Sequence, residues 1–133
     1  MGISLRNVQR ASRLLATALA VGLPLGLWGL GATPLAVGAV PEPWDKLAHM
    51  GVYAVLACAA GFASRRRGFD AMALGFGVAV LVGAADEVWQ SFLPGRAADW
   101  DDFAADAVGA ALGTCVLAVR VRIRQWVQAH GVQ

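Results

Sequence analysis

Residues 71–87 read AMALGFGVAVLVGAADE, fifteen uncharged residues running directly into Asp86 and Glu87. As a helix rising 1.5 Å per residue, the uncharged part reaches about 23 Å, short of the roughly 30 Å of a bilayer core. The stretch from Phe103 to Val119 repeats the shortfall, because only thirteen uncharged residues separate Asp106 from Arg120. If both segments cross lipid, their carboxylates must sit below the membrane surface. Acids at that depth face a bundle interior or a watered cavity and mark a functional site.

The rest of the chain supports a membrane reading. Apolar residues make up 58% of its 133 positions and charged residues only 15%, with a mean hydropathy of +0.58. That is too oily for an ordinary soluble domain of this length. Leu14 to Pro41 is uncharged for 28 residues, and Leu47 to Ser64 is a further apolar stretch. The expected fold is therefore all-α, a polytopic membrane bundle of four transmembrane helices forming a single domain over 1–133. The spans fall at approximately 14–34, 46–64, 70–93 and 102–120. Arg6, Arg10 and Arg13, followed by the triplet Val37-Gly38-Ala39, also resemble a signal peptide. The apolar run exceeds the roughly 7–15 residues of a signal h-region, which favours a retained first span.

Charge placement gives an orientation. Nine of the eleven basic residues fall before span one, between spans two and three, or after span four, leaving Lys46 and Arg96 opposite. Basic residues collect on the cytoplasmic side, so both termini are expected inside, N-in/C-in, with Arg65, Arg66 and Arg67 as the main topology determinant. Eight of nine acids lie on the other side, with Asp70 the exception. Trp44, Trp89 and Trp100 flank that outer boundary as an interfacial belt would, and Trp126 suits the inner one. The net charge of +2 gives no reason to expect nucleic acid as a partner. Cys58 and Cys115 sit in apolar stretches without metal-ligand spacing. His130, in a polar tail, is given no role.

Small residues suit close helix packing: Gly22 and Gly26, and Gly109 and Gly113, are GxxxG pairs, with Gly75, Gly77 and Gly83 on span three. At the outer level Lys46, His49 and Tyr53 share a helix face following Asp45. Asp86 and Glu87 neighbour Gln90, and Asp99, Asp102 and Asp106 form a stripe entering span four. Asp45 and Lys46 read either as a helix cap with a snorkelling amine or as part of a site. His49 can carry a proton, bind a metal or donate to a carboxylate. Asp86 and Glu87 suit an internal network, a general base or a divalent cation, the one cofactor left open. Arg96 offers a planar fork for phosphate or carboxylate, or a salt bridge to Asp99 or Asp102. Asp99 and Asp101 read as loop or cap residues.

The ordered pieces Asp45-Lys46-x-x-His49, Asp86-Glu87-x-x-Gln90, Pro94-Gly95-Arg96-x-x-Asp99 and Asp102-x-x-x-Asp106-x-x-Gly109-x-x-x-Gly113 strongly resemble the VanZ-like family. That family commonly carries Asn where this chain has Asp106. The resemblance implies a multi-pass protein of the bacterial inner membrane and cell envelope, named for a glycopeptide-resistance accessory protein linked with reduced teicoplanin susceptibility. Membrane lipid is the expected partner, an accessory role for the outer pocket would take a lipid-linked cell-wall precursor or a lipoglycopeptide as ligand, and an oligomer stays open. The resemblance supplies no reaction. Three functions stay open: an accessory binding protein, a small intramembrane enzyme using His49 and Glu87, and a purely structural membrane protein. The ligand-binding candidates are Asp45, Lys46, His49, Tyr53, Asp86, Glu87, Gln90, Arg96, Asp102 and Asp106.

Overall fold

A computed structural model describes residues 4–33 and 39–131. Four helices follow in chain order: α1 (Leu5–Gly31), α2 (Trp44–Ala63), α3 (Phe69–Gln90) and α4 (Trp100–Ala129). Each is long and apolar enough to cross a membrane, and no strand occurs among the described residues. Val37 and Gly38 of the signal-like triplet lie outside the described residues.

The helices outlast the apolar runs that announce them. Helix α1 begins at Leu5 rather than near residue 14, because the Ser4 side chain caps it by accepting the Arg6 N–H at 3.3 Å. Helix α4 carries its arginines on to Ala129. A charge ends the hydrophobic length without ending the helix, since arginine is a good helix former. At its far end α3 stops at Gln90, three residues before the expected boundary, and Ser91 to Gly95 turn ahead of α4. Pro94 disfavours helix at the residue before it, and Gly95 takes the left-handed φ of 77° that the turn needs.

Helices α2 and α4 run parallel, and glycine sets their approach. An added Cβ on Gly109 would strike the Met50 backbone and one on Gly113 the Ala54 carbonyl, so these two positions admit no side chain. On the neighbouring face Gly75 of α3 lies against the Ala57 carbonyl. The core formed there comprises Tyr53, Leu56, Ala57, Ala79 and Ala110. Small residues at such contacts let backbones meet, which is how packing is won where lipid removes the hydrophobic drive between helices.

Helix α1 differs. It rests mainly on α2, with Ala20, Leu23 and Leu27 against the core, and its buried residues are Ala16 and Pro24. Its GxxxG pair corrects the packing expectation: an added Cβ on Gly22 or Gly26 meets nothing within 4 Å, and the same is true of Gly77. Among the described residues no backbone comes within 4 Å of a Cβ at those positions. Gly22 and Gly26 instead border a cleft between α1 and the remaining helices.

Candidate functional site

Because α2 and α4 begin where α3 ends, all three place their polar turns at one end of the bundle. The tryptophans there are exposed, Trp44 at 63% and Trp100 at 83%. Lys46 lies at the centre. Its amine is 3.2 Å from Asp45 Oδ2 and donates to Asp99 Oδ2 at 3.1 Å and to Asp102 Oδ1. One cation from α2 therefore binds the start of α4 through two carboxylates, one helical turn apart.

His49, one turn further into α2, reaches the next α4 turn. Its Nδ1 is 2.8 Å from Asp106 Oδ1, and Nε2 lies 3.8 Å from Asp102 Oδ2. The ring stacks parallel to Tyr53, with centroids 6.2 Å apart. Asp106 is fully buried, so a lost partner would strand its carboxylate in a low-dielectric interior.

Helix α3 supplies the other wall. Gln90 Nε2 donates to Asp86 Oδ2 at 2.9 Å, an i to i+4 pair within the helix. Glu87 has a different partner, its Oε2 accepting the backbone N–H of Asp99 at 2.6 Å. That bond ties the end of α3 to the first turn of α4. Asp99 in turn caps α4 by accepting the Asp101 N–H at 2.8 Å, as its cap reading anticipates. The Asp101 N–H and then the Lys46 amine hold the Asp99 carboxyl below the usual aspartate range.

Asp45, Lys46, His49, Asp102 and Asp106 thus form one network, joined by Asp99. Asp86, Gln90, Arg96 and Tyr53 border the adjoining cleft, and Glu87 serves the α3–α4 connection. The bond from the Asp99 backbone to Glu87 has no sequence signal, because it depends on the path of residues 91–99. Three buried oxygens accept or donate no hydrogen bond among the described residues: Tyr53 Oη, Glu87 Oε1 and Asp106 Oδ2. No group of three or more His, Cys, Asp or Glu side chains among the described residues is placed to hold a metal ion.

The cleft encloses about 610 Å³. Leu23 and Leu27 of α1 with Val52 of α2 make it apolar along its length, while His49, Asp86, Gln90, Arg96 and Asp102 make one end polar. Such a shape suits a molecule with a hydrocarbon tail and a hydrogen-bonding or charged head.

A family model described as VanZ/LLP1 matches residues 1–121. No curated protein and no solved structure matches the chain.

Proposed function

The chain belongs to the VanZ/LLP1 family, and on that premise we propose that it is an accessory binding protein of the bacterial inner membrane. Its carboxylate end faces outward and both termini face the cytoplasm, in keeping with the nine basic residues at the opposite end. The ligand is an amphiphile of the envelope, either a lipid-linked cell-wall precursor or a lipoglycopeptide of the teicoplanin type. Binding changes its availability and so links the protein to glycopeptide resistance.

The observation that carries this reading is the cleft itself, apolar against α1 and polar at Arg96 and His49. A fluorescent lipoglycopeptide titrated into the purified protein tests it. A Cβ at Gly22 or Gly26 meets nothing within 4 Å among the described residues and both positions line the cleft, so Gly22→Leu and Gly26→Leu should block the tail without lowering the melting temperature. Arg96→Ala should weaken binding about tenfold, as loss of a charge-assisted contact does. Unchanged affinity in the leucine variants rules the cleft out. Cysteine labelling at position 66 from either side of the membrane checks the orientation.

A second reading rests on the close pair of His49 and Asp106 beside the cleft. An imidazole held by a carboxylate can move a proton, so the same ligand class could be a substrate. Turnover of a labelled lipid precursor, lost in His49→Ala and Glu87→Gln, would favour enzyme over accessory protein.

A further inference from the structure

The opposite end of the bundle has a hollow of its own, about 620 Å³, between the first turns of α1 and the α2–α3 loop. Arg6, Arg10 and Arg13 line it from α1 and Arg65 from the loop, with Leu14 and Thr17 on the side leading into the apolar run. None of its lining residues is acidic. Asp70 is the one acid at this end and does not line it. Among the described residues no salt bridge engages these four arginines. Four exposed arginines line one hollow that has no acid in its lining, and like charges placed together favour an anion between them.

Arg65 strengthens the case. It closes α2 in the left-handed region, at φ 61°, where glycine or asparagine is the usual choice and a long side chain is disfavoured. A basic side chain stands where the backbone alone would take glycine, and that side chain borders the hollow.

We propose that this hollow binds the phosphate headgroup of an anionic membrane phospholipid, in the leaflet at the arginine end. Guanidinium forks match phosphate oxygens, and basic residues at a membrane surface attract anionic lipid. A lipid, rather than a soluble phosphate, fits because Leu14 borders the hollow at 71% exposure and the exposed Val21 and Leu25 continue along α1. The acyl chains would lie on that face. This site is separate from the cleft at the carboxylate end and does not depend on what that cleft binds.

Native mass spectrometry of the full chain in detergent, with phosphatidylglycerol or phosphatidylcholine added, reads the bound lipid directly. Phosphatidylglycerol should be retained over phosphatidylcholine, and Arg10→Gln and Arg65→Gly should each lower its occupancy about fivefold. Arg65→Gly also suits the left-handed backbone, so it removes the charge without a risk of misfolding. Arg66→Gln and Arg67→Gln, outside the hollow, should retain the lipid as the unaltered chain does. Equal retention of the two lipids overturns the proposal. So does an equal loss in Arg66→Gln, which would mean diffuse charge, or displacement of the lipid by inorganic phosphate, which would mean a soluble anion.

Discussion

The two ends of this bundle hold charge in opposite ways. At the carboxylate end, groups of opposite sign pair across helices, with Asp106 fully buried and the Lys46 side chain only 23% exposed. At the arginine end the charge has one sign apart from Asp70, and Arg65, Arg66 and Arg67 face solvent. Arg120 there finds an aromatic face rather than an acid, its guanidinium 4.0 Å from the centre of the Phe62 ring. The carboxylate end ties its cations to acids on other helices, whereas no salt bridge among the described residues engages the arginines that line the hollow at the other end. Removing one member should therefore damage the fold at the first end and only the binding properties at the second.

Lys46→Met tests that contrast most severely. It leaves Asp45, Asp99 and Asp102 without their common cation. The cost should be about 2–3 kcal/mol, below that of a fully buried pair because Lys46 keeps some exposure. Thermal unfolding in detergent measures it, with Arg66→Gln, expected within about 0.5 kcal/mol of the parent chain, as the control. Equal effects of the two substitutions would erase the distinction between the ends.

His49→Ala comes next, at about 1–3 kcal/mol, because it strands the Asp106 carboxylate in the core. Asp106→Asn alone should lie within about 1 kcal/mol of the parent, since the amide oxygen still accepts from His49 and a buried charge disappears. In the double variant the histidine loss should shrink by at least about 1 kcal/mol. Additive effects would mean that the pair is not coupled and that Asp106 is held by something else.

These pairings mark the limit of what the sequence discloses. The four helices are legible in the apolar runs, because lipid forces backbone hydrogen bonds inside each segment. The gathering of Asp86, Asp102 and Asp106 at one level is legible in the shortness of two of those runs. Helical spacing also places Lys46 and His49 on one face. Which acid each of them meets is not legible, because it depends on the parallel register of α2 and α4, set by Gly109 and Gly113 against Met50 and Ala54. The α1 glycines show the converse. Gly22 and Gly26 have the spacing of a packing pair, yet packing needs a partner backbone within reach, and spacing along one helix cannot supply it.

Arg65→Gly sharpens the same contrast from the arginine end, with the sign reversed. Removing a side chain from a left-handed position relieves strain, while glycine loses more entropy on folding. The net should be a gain of about 0.5–1 kcal/mol in unfolding experiments free of anionic lipid. A loss of stability instead would show that the guanidinium is held by the chain itself.

The smallest effect should come from Asp99, at the rim of the mixed network, with 43% of its side chain exposed. Asp99→Asn keeps an equally good helix cap, so the comparison with the parent chain isolates the charge. In the folded chain the Asp101 N–H and the Lys46 amine hold this carboxyl below its ordinary value of 3.8. A depressed carboxyl contributes stability that is complete above the unfolded value and is lost as pH falls through the folded one. The parent should therefore melt slightly above Asp99→Asn at neutral pH, and the gap should hold down to about pH 4 and close in stronger acid. Added salt should narrow it, because the pair is exposed. A gap that persists below both values would assign the difference to the cap rather than to the charge. Lys46 would then owe its position to Asp45 and Asp102 alone.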